Sequence, residues 1–383
     1  MSEGPKPTDG ESRRGDGAAL VGMMRLSLVK ELGPRSIGRL LEHFGSAEAV
    51  LGAGRSELMK VEGIRPTTAE AVLKAPTEEE AEAELERARG IGARVLMAGD
   101  EEYPGLLKTI YDPPVTLYVK GTLEERDALA VAIVGTRRAS FYGLKQARAL
   151  ASGLAGLGFT IVSGMARGID TAAHEGALEA GGRTIAVWGT GLGTVYPEEN
   201  AELAKRIVDG GAVMSEFPVE YPVLAENFPR RNRIVSGLSM GVIVVEGSER
   251  SGAMITAEQA MQQGREVFAV PGQIDNLKAR GPHKLLRQGA RLVESIDDVL
   301  DELGQLPTSV TTGEGVEVQK AQTLRLNERE QAVYGALDST PRGMDELTES
   351  TGLSVQELSS TLTVLELKQM VCKLAGGRFV RKR

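Results

Sequence analysis

From Leu129 onward the chain alternates short apolar runs with amphipathic stretches in a regular beat. The runs VAIVG (131–135), FTIVSG (159–164), TIAVWG (184–189), GAVMSEF (211–217), GVIVVEG (241–247) and EVFAVPG (266–272) are nearly continuous in apolar residues, as strands are when a parallel sheet is covered on both faces. Between them, stretches such as YGLKQARALASGLAGLG and AAHEGALEAGG read as helical. This alternation predicts a doubly wound α/β fold with a mostly parallel sheet.

The flanks read differently. Residues 1–17 read as a disordered tail of Gly, Pro, Ser and mixed charges. Residues 18–75 read as a small helical domain, with Leu40, Leu41 and Phe44, then Val50 and Leu51, at helical spacing and breaks at Gly33-Pro34 and Gly45-Ser46. Val61-Glu62-Gly63-Ile64 fits the turn of a helix-hairpin-helix, but Arg65 stands where a second glycine is usual, which favours packing over DNA contact. A charged helix, TEEEAEAELERARGIG, opens the core domain of residues 76–303, and residues 304–322 read as a linker. Residues 323–383 read as a winged helix. Asn327 with Glu330 and Ser354 with Glu357 fit helix-capping boxes, and MVCKLAGGRFVRKR fits a hairpin turning at Gly376-Gly377.

Composition narrows the chemistry. A lone Cys372, expected as a small core hydrophobe, excludes an internal disulfide framework, and three scattered histidines disfavour a metal site. No apolar run approaches the about 20 residues of a membrane helix, so the expectation is a cytoplasmic protein without membrane contact or cofactor. The formal charge of −8 argues against a blanket nucleic-acid binder but leaves room for a local basic patch.

In such sheets ligands bind beyond the carboxyl ends of the strands. The first core strand ends in Gly135-Thr136-Arg137 and the second in Ser163-Gly164-Met165-Ala166-Arg167-Gly168. Backbone N–H groups at small residues and a helix N-terminus attract anions, and Arg137 and Arg167 supply guanidinium groups that grip phosphate bidentately. Against this stands the plainer account that the glycines close tight turns and the arginines are solvated. Asp170 and His174 read as structural rather than as an acid–base pair: Asp170 or Thr171 caps the helix, and His174 packs or hydrogen-bonds one turn later. Glu216 and Glu246 read as structural, with the arginines as candidate partners.

The stretch NFPRRNR places Phe228 beside Arg230, Arg231 and Arg233. Phosphate-directed cations plus a stacking ring suit single-stranded nucleic acid, because every base has a face to stack. The competing account makes Phe228 core and pairs the arginines with Glu216, Glu220 or Glu226. The arginines of all three turns are expected on one rim of the sheet.

VGTRRASFYG, SGMARGIDTAAHEGAL, YPEEN, SEFP, FPRRNRIVSGLS, SGAMITAEQAMQQGREVFAVPG and GPHKLLRQGARLV follow one another between about Asp100 and Val299 in an order that resembles the DNA-processing protein A family, DprA, also called Smf. The resemblance implies an extended Rossmann-like core that binds single-stranded DNA without sequence preference. It also implies a role in natural transformation without catalysis, in which the incoming strand is protected and the RecA recombinase is loaded. Its DNA-binding positions fall on Gly135, Thr136 and Arg137, on Ser163, Gly164, Ala166, Arg167 and Gly168, and on Phe228, Arg230, Arg231 and Arg233. A homodimer is implied as well, for which the sequence offers Leu285, Leu286 and Leu292. Gly193 and His283 depart from the family pattern.

Two alternatives remain open at this level. A phosphoribohydrolase-like enzyme on a related Rossmann core calls for a P-G-G-x-G-T loop, which the chain lacks. A structural adaptor would use the arginines for internal ion pairs. In the winged helix, SVQELSSTLTVLELKQ sets Glu357 and Glu366 against Lys368 alone, which favours partner docking or regulation over duplex reading.

Overall fold

The computed structural model describes residues 9–303, 327–338, 340–367, 370–374 and 377–381. Among these, nine strands make the main sheet: β1 (Ala93–Met97), β2 (Thr116–Gly121), β3 (Ala130–Val134), β4 (Thr160–Ser163), β5 (Thr184–Val187), β6 (Ala212–Ser215), β7 (Gly241–Val244), β8 (Glu266–Ala269) and β9 (Arg291–Leu292). Their order is β1-β2-β6-β5-β4-β3-β7-β8-β9. β4 and β7 flank β3 in parallel, and β8 and β9 continue in the same sense. β1 with β2, and β2 with β6, are antiparallel. The sheet is mixed, mostly parallel and flanked by helices, and all six expected strands are present. β1 and β2 were not legible, because Arg94 and Lys120 interrupt their apolar runs.

The chain forms two compact units. One takes the residues up to Thr122 together with Ala186–Gly237; the other takes Leu123–Ile185 and the residues from Leu238 onward. This division runs inside the stretch that the sequence presents as one core.

In the first unit, short N-terminal helices enclose a core of Leu26, Ile37, Leu40, Val50, Leu58 and Val72. The helix Asp9–Ser27 starts inside the expected tail, whose residues 1–8 lie outside the described residues. Helix Pro34–Phe44 begins on a proline, which needs no N–H there, and ends at Gly45 in the left-handed region. Helices Arg55–Leu58 and Pro66–Leu73 flank the hairpin turn, whose Val61 and Ile64 are buried. The charged helix Glu78–Gly90 starts on a capping box of Thr77 and Glu80, and its buried Glu84 accepts a hydrogen bond from the Val219 N–H at 2.7 Å.

In the second unit, Val131, Ile133, Ile161 and Phe268 form a core with Leu150, Leu154 and Ala173 from helices Phe141–Gly156 and Ile169–Glu179. Each large buried side chain of this kind contributes about 1.5–3 kcal/mol. Arg183, otherwise costly to bury, holds Asp127 bidentately at 2.6 and 2.9 Å.

The winged helix has its own core of Val333, Leu347, Leu358, Leu362, Leu365, Val371 and Phe379. Asn327–Glu330 and Ser354–Glu357 form the reciprocal hydrogen bonds expected of capping boxes. Strands Val371–Leu374 and Arg378–Arg381 pair antiparallel as the wing. Cys372 is exposed, which corrects the expectation of a core residue: strand alternation turns Val371 inward and its neighbour out. The linker, Lys368, Gly376, Lys382 and Arg383 lie outside the described residues.

Candidate nucleic-acid interface

In the second unit, β3 and β4 are adjacent and parallel, so the loops that follow them leave the same end of the sheet. The two loops are interlocked. Gly168 has φ +80° and lies so close to the Thr136 carbonyl and the Arg137 backbone that no Cβ fits; the Ile169 N–H donates to the Thr136 carbonyl at 3.3 Å. Glycine is therefore required at 168 by both backbone conformation and space. The Thr136 N–H donates to the Glu246 carbonyl at 2.7 Å, which ties the first loop to the end of β7. Arg137, Arg138 and Arg167 are exposed beyond this framework, with Ala166 half-buried.

Glu246 plays a part that the sequence did not show. Its carboxylate accepts from both the Ser140 N–H (2.8 Å) and the Ser140 hydroxyl (2.5 Å), and Ser140 caps helix Phe141–Gly156 by accepting from the Gly143 N–H. The expectation of a salt bridge to the arginines is replaced by this anchoring of a helix start. Ser163 and Gly164 also fall inside the framework. Both are buried, and the Ser163 hydroxyl donates to the Ile133 carbonyl at 2.6 Å. Gly135 is half-buried, its missing Cβ giving way to Ile169. His174 bonds Thr184 through Nδ1 at 2.7 Å. Asp170 reaches back to the Ala166 N–H at 3.3 Å, while Gly168 holds the N-cap position itself.

The first unit carries the arginine-rich helix Asn227–Gly237. Its three arginines separate by burial. Arg231 is 3% exposed and donates to the Val187 carbonyl at the end of β5. Arg233 is 5% exposed and holds Glu216 at 2.6 Å and Asp112 at 3.2 Å. These two correct the sequence reading: a buried guanidinium already bonded to a carbonyl or to carboxylates is part of the frame and does not reach an incoming strand. Arg230 differs. It is exposed, shares Glu216 Oε2 with Arg233 at 3.1 Å, and lies 5.1 Å from the Phe217 ring centre.

Phe228 is half-buried, and its ring covers Gly189, where an added Cβ would lie 3.0 Å from the ring. Tyr196, partly exposed, meets Phe228 with ring centres 5.6 Å apart. This aromatic pair was missed in the sequence, where Tyr196 showed only as part of YPEEN. Buried Tyr103 lies beneath the ion pairs; burial pushes its phenol well up, with Arg233 opposing and Glu216 adding to the shift, so it stays a neutral donor to the Pro114 carbonyl at 2.8 Å.

Of the residues offered for self-association, Leu285 is buried and packs internally, Leu286 is half-buried, and Leu292 is exposed on the edge strand β9. No helix among the described residues is long and apolar enough to cross a membrane, and they contain no cluster suited to a metal ion.

Comparison with known proteins agrees with this architecture. The family model for DNA recombination-mediator protein A matches residues 94–304, and that for the DprA winged helix domain matches residues 318–377. The chain is 42% identical over 294 residues to Protein Smf of Escherichia coli (strain K12), covering 76% of this chain and 77% of that protein. The X-ray structure of DNA processing protein A from Streptococcus pneumoniae superposes with a TM-score of 0.64 at 38% identity, over 73% of this chain and 95% of that one. The DNA processing protein A of Helicobacter pylori, a protein with a unique single-stranded DNA binding mode, superposes at 0.50 with 32% identity, over 55% of this chain and 95% of that one. Proteins of this family are DNA-binding recombination mediators rather than enzymes, which sets aside the nucleotide-cleaving alternative. The chain belongs to the DNA recombination-mediator protein A family, DprA/Smf.

Proposed function

We propose that this protein binds single-stranded DNA without sequence preference and acts in natural transformation, where it protects the incoming strand and loads the RecA recombinase. The observation that carries the reading is the interlocked pair of loops after β3 and β4, which presents Arg137 and Arg167 at one end of two adjacent parallel strands. The second support, in the other unit, is the Phe228–Tyr196 pair together with exposed Arg230 on the helix that carries Phe228. Guanidinium groups neutralise phosphates and rings stack on bases, and neither reads a sequence. The single-strand binding of the Helicobacter pylori relative points the same way. The RecA and homodimer parts rest on family membership; for the dimer, Leu292 on the edge strand and half-buried Leu286 are the contacts we assign.

The test is a variant carrying Arg137→Glu, Arg167→Glu and Arg230→Glu, titrated with labelled single strands. Binding is expected to be lost while the thermal melt stays that of the folded protein. With about four phosphates neutralised, the wild-type log affinity should fall with log salt at a slope of about −3. Unchanged affinity in the triple variant would overturn the assignment.

A further inference from the structure

The first unit exposes a second cationic–aromatic surface away from Phe228 and Arg230. Tyr111 is 74% exposed. The Arg35 guanidinium lies 3.9 Å from its ring centre and also donates to its hydroxyl. The chain has only seven tyrosines, seven phenylalanines and one tryptophan, so a ring left this far out of the core is an unusual use of a scarce residue. Beside it opens a cleft of about 360 Å³ lined by Gly33, Pro34, Arg35, Ser36, Arg39 and Asp112. Asp112, the one carboxylate in that lining, is already bonded to Arg233 at 3.2 Å, so the cleft keeps a positive balance. Arg39 is held in place by donating to the Glu62 carbonyl at 3.0 Å.

We infer that this cleft is an additional contact for the same single strand, with one base stacked against the Tyr111–Arg35 pair and the adjoining phosphates held by Arg35 and Arg39. The inference rests on the single-strand reading above and adds the N-terminal helices to it. Direct contacts join the two places within one unit. Asp112, next to Tyr111, pairs with Arg233; Arg233 pairs with Glu216; Glu216 pairs with Arg230. These contacts fix Tyr111 relative to Arg230 within that unit, so a longer strand seated on Phe228 and Arg230 can continue onto Tyr111. A stacked guanidinium and ring is a flat, cationic platform, which suits a nucleotide better than an aliphatic or acidic ligand. The hairpin turn itself, whose apolar residues are buried, is not the contact.

The experiment uses the full chain and oligothymidylates of increasing length, with affinity read by fluorescence anisotropy. Tyr111→Ala and Arg35→Ala are expected to leave the shortest bound oligomers unaffected and to weaken the longer ones at least about fivefold, the lower end of one lost base stack. Arg35→Ala combined with Arg39→Ala should make the salt slope for long oligomers shallower by about 1.4. Arg35→Lys, which keeps charge but not the flat stack, should retain most of the slope and lose affinity. Wild-type affinity at every length in Tyr111→Ala, with binding still lost in the triple glutamate variant, would overturn this inference alone. No loss in either Tyr111→Ala or the triple glutamate variant would overturn both readings, and loss in Tyr111→Ala alone would overturn the site proposed above in favour of the cleft. A lowered melting temperature in Tyr111→Ala with equal weakening at all lengths would make the ring a framework residue and also overturn it.

Discussion

The Glu246 carboxylate takes both hydrogen bonds that Ser140 can donate, one from its backbone and one from its hydroxyl. This pins the start of helix Phe141–Gly156 to the end of β7, while the Thr136 N–H is pinned to the carbonyl of the same glutamate. The Arg137 turn is thus held from both sides by one residue that never meets solvent. Glu246→Ala leaves the half-buried Ser140 N–H and hydroxyl without their carboxylate, and should cost about 1–3 kcal/mol of stability in urea unfolding. At temperatures where the variant is still folded, its single-strand affinity should fall as well, because the turn is no longer preorganised.

The three arginines of helix Asn227–Gly237 are expected to separate by experiment as they do by burial. Arg230→Ala should change stability by no more than about 1 kcal/mol, as exposed ion pairs do, and should weaken strand binding. Arg233→Ala leaves Glu216 and Asp112 short of a partner and should destabilise the fold by about 3 kcal/mol or more. Arg231→Met should also lower stability, by about 1–3 kcal/mol. Paired unfolding and binding curves distinguish the two classes.

Gly168→Ala tests the interlock of the two loops. A side chain there meets the Thr136 and Arg137 backbone and must also adopt φ +80°, so a loss of at least about 1–3 kcal/mol is expected in thermal or urea unfolding. Gly45→Ala is the control. It shares a positive φ but has open space around it, so it should cost less.

The winged helix offers a pH prediction. The Ser354 hydroxyl, and then its backbone N–H, hold the partly exposed Glu357 carboxyl below its ordinary value of 4.5. A depressed carboxylate contributes stability that is complete above its unfolded pKa and disappears as pH falls through the folded one. A carboxyl-detected NMR titration of the full chain should place the Glu357 midpoint below 4.5, and Ser354→Ala should move it back up.

How much of this was legible follows from what local sequence encodes. The six central strands announce themselves because burial on both faces makes them apolar at every position. β1 and β2 carry Arg94 and Lys120 within runs of only five and six residues, so neither reads as continuously apolar. The arginine loops could be found because glycine next to arginine after a strand is a local pattern. Which arginine is exposed could not, since the choice depends on Asp112, Glu216 and the Val187 carbonyl, all brought in by tertiary folding. Tyr196 as the partner of Phe228, and Ser140 as the partner of Glu246, were overlooked for the same reason: they lie 32 and 106 residues away.

The sharing of Glu216 between Arg230 and Arg233 bears on turnover as well as on grip. A phosphate arriving at Arg230 would take over only the weaker of two claims on that carboxylate, and Glu216 would stay neutralised by Arg233. Docking then swaps one anion for another at the same cation, with little net change in pairing. Such an exchange runs easily in both directions, the property a mediator needs if it is to hand its cargo onward rather than keep it.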